Sequence, residues 1–271
     1  MQISPDEVKE LLKLTKHRSG YDLSGYAEAS MQRRVNRFAS VKNIDGFLQL
    51  KKYLLSNDAA FTSFIAEITV NVTEMFRDPA FFKSLKQKVF PALSTYPYRK
   101  VWHAGCSTGE EVYSLAVLLQ ENNLYDHTRQ YATDINAEVI QQAKQGIYPL
   151  KMMKDYTSKY MAAGGTSAFS DYYTAQYDSA IMNKSLKQNL VFSVHNLVSD
   201  QSFNEFNLVM CRNVLIYFNR ELQEKVFGLF YESLVMFGFL ALGSKESMLA
   251  SKLQDKFEVV DKTEKIFRKI R

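Results

Sequence analysis

The sequence predicts an α/β protein in which a helical N-terminal domain precedes a mostly parallel sheet with an antiparallel closing strand. Three observations carry this. Residues 1 to about 70 show helical apolar stripes and no strand pattern. From about residue 90, short apolar runs alternate with helical stripes, as in a parallel sheet covered on both faces. The ending "FEVVDKTEKIFRKI" sets two β-rich runs on either side of a short polar turn, which closes the sheet with a hairpin.

In the first domain, Ser4, Pro5 and Glu7 form a capping box with proline in the first turn, and Val8, Leu11 and Leu12 supply the apolar stripe of the helix that follows. Further helices fit "YAEASMQRRVNRFAS", "IDGFLQLKKYLLS" and "AAFTSFIAEITV". In the second domain, strands fit "KVWHA", "RQYATD", "NLVFSVH", "FNLVMC" and "GFLALG", and helices fit residues 110–121, 136–145 and 220–236. Residues 151–188 break the alternation. Gly164 and Gly165 precede the extended aromatic piece "DYYTAQYDSAIMN", which suits a small inserted subdomain better than a crossover helix. The expected domains are therefore 1–72 and 73–271, with the insert at about 151–188.

Composition excludes several classes. No run approaches the roughly 18 apolar residues of a membrane span, and "MQISPDEVKELLKL" is amphipathic and acidic, unlike a secretory signal. Cys106 and Cys211 are too few for a disulfide scaffold and lack zinc-site spacing, so the reading is a cytoplasmic protein without metal. The net charge of +5 and pI of about 8.9 are mild. Arg33, Arg34 and Arg37 gather in "MQRRVNRF", and an anionic partner or a solvated helix face both fit that cluster. No Asn-Pro-Pro-Tyr type motif for a flipped base is present, which argues against nucleic acid.

The stretch "WHAGCSTGEEVYSLAVLL" (102–119) runs from a strand through glycines into a helix, the place where an open α/β sheet binds ligands. Gly105 and Gly109 permit close backbone approach. Their spacing fits neither the dinucleotide fingerprint nor the lysine-bearing phosphate loop. Glu110 and Glu111 stand where a pyrophosphate would meet the helix N-terminus and would repel it. A cationic or neutral ligand is favoured, and S-adenosylmethionine fits, with a sulfonium, an amino group and ribose hydroxyls but no phosphate. Asp134 ends the second strand about 25 residues past the glycine loop, where an acid can bind a ribose. It could instead cap a helix, although Asn136 already serves that purpose.

Five stretches in order then resemble the CheR-type chemotaxis receptor methyltransferases: "NVTEMFRD" (71–78), "AGCSTGEEVYSLA" (104–116), "ATDINAEVIQQAKQGIY" (132–148), "HNL" (195–197) and "CRNVLIYF" (211–218). The resemblance implies a class I methyltransferase Rossmann-like sheet behind the helical domain. It also implies methyl transfer from S-adenosylmethionine to glutamate side chains of chemotaxis receptors, giving methyl esters and S-adenosylhomocysteine. The expected partner is the cytoplasmic helical region of those receptors, steered by Arg33, Arg34 and Arg37, with no membrane insertion of the enzyme.

Carried over by position, the resemblance places Asn71, Thr73 and Arg77 in a segment that reaches over the cofactor, with Arg77 able to grip a carboxylate. Gly105 and Glu110 face the cofactor, Asp134 holds its ribose, and Asn196 and Leu197 hold the adenine edge. Arg212 and Asn213 line the cleft, and the Tyr217 hydroxyl can approach the transferring methyl. Arg77 and Tyr217 are the expected catalytic residues. Glu111 is expected as a helix or partner contact, "DPAFF" as an Asp cap with N1 proline, and His195 as a packed residue rather than a base. The match is poor over residues 160–188, so binding of a receptor tail to the insert stays open.

A glutamate nucleophile is already ionised at neutral pH, which accounts for the lack of a His, Ser or Lys catalytic constellation. Two other readings share the cofactor site: a methyltransferase acting on another protein or a small molecule, and a non-catalytic cofactor-binding signalling adaptor.

Overall fold

The computed structural model describes residues 3–69 and 72–271. Within the chain two compact units separate: 1–71 with 217–225, and 72–216 with 226–271. The return of 217–225 to the first unit lies outside the expected boundary at 72.

The helical unit begins with α1 (Pro5–Ser19), α2 (Glu28–Val41), α3 (Phe47–Ser56) and α4 (Asp58–Thr69). The Ser4 hydroxyl accepts from the Glu7 N–H while the Glu7 carboxylate accepts from the Ser4 N–H at 2.7 Å, so the start of α1 is closed as expected. Phe38 of α2 meets Phe64 of α4 edge to face at 5.2 Å, both buried. The returning segment is stitched in by the Ala27 N–H to the Tyr217 carbonyl at 2.8 Å and the Asn219 N–H to the Gly25 carbonyl at 2.9 Å.

The second unit enters through α5 (Pro79–Ser84) and, after a π-type turn at Leu85–Val89, α6 (Phe90–Leu93). It alternates β1 (Arg99–Ala104), α7 (Glu110–Glu121), β2 (Thr128–Asp134) and α8 (Ala137–Gln145). The inserted piece holds β3 (Ile147–Pro149), α9 (Met153–Ala162), β4 (Tyr173–Gln176) and β5 (Ser179–Met182), and the main sheet resumes at β6 (Leu190–Val194) and β7 (Phe206–Cys211). After α10 (Arg220–Ser233) come β8 (Leu234–Leu242), β9 (Phe257–Asp261) and β10 (Ile266–Lys269). Helix α10 stops before the expected residue 236 because β8 takes up Leu234 onward.

The seven-stranded sheet has the order β6-β2-β1-β7-β8-β10-β9, parallel except for β10, which runs antiparallel to both neighbours. Strand order reverses beside β1, between β2 and β7. All six residues of β7 are buried, as expected of a strand covered on both faces. Helix α7 pins the sheet through Val112, Leu115, Ala116 and Leu119, all fully buried. Each such leucine contributes about 1.5–3 kcal/mol by leaving water.

The insert is a small antiparallel sheet, β3-β5-β4, with α9 beside it. Its first strand begins before residue 151, so the subdomain starts a few residues earlier than expected. Glu121, the last residue of α7, anchors it by accepting from the N–H groups of Thr166 and Ser167 at 3.1 and 3.2 Å and from the hydroxyls of Tyr172 and Tyr160.

Candidate active site

The carboxyl ends of β1, β2 and β7 build the site. After β1, Gly105 (φ +85), Ser107 (φ +50) and Gly109 (φ +92) turn the chain into α7 with left-handed backbone. A Cβ on Gly105 would stand 2.4 Å from Val214 Cγ2, so only glycine lets this loop pass the turn that follows β7.

Two carboxylates flank the loop. Glu110, at the start of α7, is buried, and its Oε2 accepts from the Thr108 hydroxyl at 2.6 Å. Burial pushes its carboxyl above the ordinary glutamate value, against the pull of that hydrogen bond. Asp134, at the end of β2, is also buried; Oδ2 accepts from the Ser107 N–H at 2.9 Å and Oδ1 from the Asn136 N–H at 3.0 Å. Burial again raises its carboxyl, partly offset by these N–H groups. Asn136 caps α8 by accepting from the Glu138 N–H at 2.9 Å, which leaves Asp134 without a capping duty. Among the described residues neither acid has a cationic partner, so each carries a desolvation cost that a donor-rich or cationic ligand would relieve. In the same loop the Ser107 hydroxyl is buried without a partner among the described residues.

Of the other expected residues, Asn196 follows β6 and folds into a local turn, its N–H donating to Asp200 at 2.8 Å and its side-chain oxygen accepting from the Val198 N–H at 2.9 Å. Leu197 is buried beside it. Thr73 is half-buried. Arg77 is half-buried, and its guanidinium folds back to the Val72 carbonyl at 3.2 Å. Asn71 lies outside the described residues. Tyr217 belongs to the helical unit, where its ring lies 4.2 Å beneath the Arg34 guanidinium.

Arg212 differs from expectation. Its fork is engaged within the protein: Nη2 donates to Asp78 at 2.8 Å, Nη1 to Glu111 at 3.3 Å, and both to the Arg77 carbonyl at 3.3 Å. The guanidinium lies 3.9 Å over the Phe81 ring. Asp78 is accordingly not the side-chain cap of α5: it stands in left-handed backbone at φ +58 and gives no capping hydrogen bond. Glu111 also meets His103 Nδ1 at 3.0 Å, and His103 Nε2 meets Gln130 at 2.9 Å. Burial would raise the Glu111 carboxyl, but His103 and Arg212 hold it below the ordinary value. Glu111 is thus an internal tie rather than a partner contact.

His195 is packed, as expected, edge to face with Trp102 at 5.3 Å, and its Nε2 faces the Gln201 carbonyl at 3.2 Å. Cys106 and Cys211 are free and buried, and burial drives both thiols well up, away from the reactive thiolate. The basic trio divides. Arg33 and Arg37 are exposed, with Arg37 3.2 Å from Glu67, while Arg34 is buried and donates to the Ile68 carbonyl. Arg34 therefore leaves the surface group expected to steer a receptor.

Sequence reasoning missed Glu246. It lies in the turn after β8, 4% exposed, and its carboxylate holds the backbone of residues 213–216. "GSKES" has no periodicity that would have flagged it.

Residues 71–266 match the CheR methyltransferase SAM-binding domain, and residues 6–69 match the CheR methyltransferase all-alpha domain. A putative methyltransferase, Cher3, of Pseudomonas putida is 45% identical over 97% of this chain and 96% of its own length. A chemotaxis protein methyltransferase of Listeria monocytogenes is 30% identical over 90% of this chain and 92% of its own. One from Escherichia coli is 26% identical over 97% and 91%. The chain belongs to the CheR methyltransferase family, and its cofactor is S-adenosylmethionine.

Proposed function

We propose that this protein transfers the methyl group of S-adenosylmethionine to glutamate side chains in the helical cytoplasmic region of chemotaxis receptors, giving methyl esters and S-adenosylhomocysteine. The observation that carries the pocket assignment is the pair of buried carboxylates, Glu110 and Asp134, on either side of a glycine loop with no cation beside them among the described residues. That pair of acceptors rejects a pyrophosphate and suits an amino group and ribose hydroxyls, which donate. The assignment of glutamate as acceptor rests on the likeness to chemotaxis methyltransferases.

The bound cofactor supplies an electrophilic methyl on a sulfonium. Glu110 would hold the amino end and Asp134 the ribose, while Asn196 and Leu197 would bound the adenine edge. Asn213 lines the cleft floor. By the likeness to the family, Arg77 is assigned to the acceptor carboxylate and Tyr217 to the transferring methyl. Gly105 lets the walls close, and Thr73 frames the entrance. Arg212 contributes through position: its donation to the Arg77 carbonyl and to Asp78 fixes the main chain from which the Arg77 side chain springs. No group has to remove a proton, since the acceptor is already an anion. Orientation of the two reactants can contribute roughly 7–11 kcal/mol in favourable cases, and exclusion of water adds to it.

The test is incubation with methyl-labelled cofactor and membranes carrying the cell's receptors. Label that mild base releases as methanol is the expected result. Base-stable label, or none beside tight S-adenosylhomocysteine binding, would favour a different acceptor or an adaptor role.

A further inference from the structure

The turn after β7 hangs on a residue some 30 positions away. The carboxylate of Glu246 accepts from five main-chain N–H groups: Val214 at 2.8 Å, Leu215 at 2.7 Å and Ile216 at 3.4 Å on Oε1, and Gly243 at 2.6 Å and Asn213 at 3.1 Å on Oε2. Its charge is met by backbone dipoles, with no cation beside it among the described residues.

From this we infer that Glu246 is a positioning residue for the cofactor pocket: it fixes the Asn213–Ile216 turn against the Gly105 loop and occupies the N–H groups that the turn would otherwise offer to an anion. The inference rests on the reading of that pocket given above. Three features support it. Asn213 stands at φ +62, left-handed backbone that asparagine tolerates better than most residues and that lets the turn double back. Val214, between two of the bonded amides, is the side chain whose Cγ2 closes on Gly105. A Cβ on Gly243 would lie 2.8 Å from both the Asn213 nitrogen and Glu246 Oε2, so the residue that brings acid and turn together has to be glycine.

The arrangement bears on specificity as well as shape. Successive N–H groups in a turn at the end of a parallel strand are a common anion cradle. Here they are filled by the protein's own carboxylate, and a phosphate-bearing ligand finds none of them free. Glu246 thereby acts in the same direction as Glu110.

The test uses the full chain with Glu246→Gln, Glu246→Asp and Gly243→Ala. Two quantities are read: amide hydrogen exchange of residues 213–216 without ligand, and S-adenosylhomocysteine affinity by calorimetry. Losing the charged acceptor in Glu246→Gln should speed exchange at Val214, Leu215 and Ile216 by about tenfold or more and weaken binding by about tenfold. Glu246→Asp, which keeps the charge, should recover part of both. A residue that only supports the fold would lower the unfolding midpoint without changing affinity. Wild-type affinity with protected amides in Glu246→Gln would overturn the inference. If that variant fails to fold, Gly243→Ala decides by the same two readings. Should the unaltered protein not bind S-adenosylhomocysteine, the pocket assignment falls, while the exchange reading still decides whether Glu246 holds the turn.

Discussion

Arg212 and Asp78 meet at 2.8 Å across 134 residues of sequence, joining the end of β7 to the segment that leads into the sheet unit. The Arg212 side chain is 3% exposed and Asp78 40%. Breaking a buried ion pair from one side leaves its partners uncompensated, which costs about 3–5 kcal/mol when both are enclosed. Because Asp78 reaches solvent, Arg212→Met should destabilise by about 3 kcal/mol, at the lower end of that range. Urea unfolding measures this, and a loss below about 1 kcal/mol would mean that the tie contributes little.

Glu110 makes two opposed predictions with pH. Its carboxyl is raised in the folded protein, so the folded chain holds that proton more tightly than the unfolded chain does. Its contribution to the stability of the ligand-free protein is present in acid and is lost as pH rises from the ordinary carboxylate value through the raised one. If Glu110 holds the cofactor's amino group as proposed, binding needs the ionised form, and affinity should fall as pH drops through the same window. Glu110→Gln should weaken S-adenosylmethionine binding by about tenfold and flatten that pH dependence. An unchanged slope in the variant would assign the titration to another group.

Gly105→Ala should weaken cofactor binding for two separable reasons, the φ of +85 and the approach to Val214 Cγ2. The double variant Gly105→Ala/Val214→Ala removes the clash and keeps the backbone strain of about 1–2 kcal/mol. Partial recovery of affinity is expected. No recovery would show that the loop, rather than the contact between loops, sets the pocket.

The basic face of α2 divides by burial. Arg33→Glu should slow receptor methylation at low salt, with the deficit shrinking as salt is raised and with cofactor affinity unchanged. Arg34→Ala should instead lower stability, since Arg34 is buried against the Ile68 carbonyl and the Tyr217 ring. Equal effects of the two on receptor methylation, with equal salt dependence, would contradict this division.

Tyr217→Phe keeps the ring under Arg34 and removes only the hydroxyl. Turnover should fall while S-adenosylhomocysteine affinity stays within about twofold, the pattern of a group acting in the transition state. A large loss of affinity would make Tyr217 a binding residue.

Much of this architecture was legible in the sequence because local rules carried it. The capping box at Ser4, the Asn136 cap, the covered strands and the closing hairpin each follow from neighbours within a few residues. What escaped notice depends on partners far apart. "DPAFF" reads the same whether Asp78 caps α5 or pairs with Arg212, and the choice is made by a left-handed φ that no spacing reveals. Arg212 read as a cleft residue because a polar pair at a strand end has few local explanations; its partners come from Asp78, Arg77 and Glu111. The return of residues 217–225 to the helical unit rests on main-chain hydrogen bonds to Gly25 and Ala27, which leave no trace in composition. Glu246 is the extreme case, since all its hydrogen-bond partners among the described residues are backbone groups.

The central claim is that the transferred methyl ends on a glutamate oxygen of a receptor. The most direct measurement is mass spectrometry of a purified receptor cytoplasmic region after incubation with the protein and S-adenosylmethionine. The account predicts methyl groups on glutamate side chains, lost in mild base and reduced about tenfold when Glu110 is replaced by glutamine at limiting cofactor. Methylation confined to lysine or another nitrogen, or an unmodified receptor beside full cofactor binding, would contradict it.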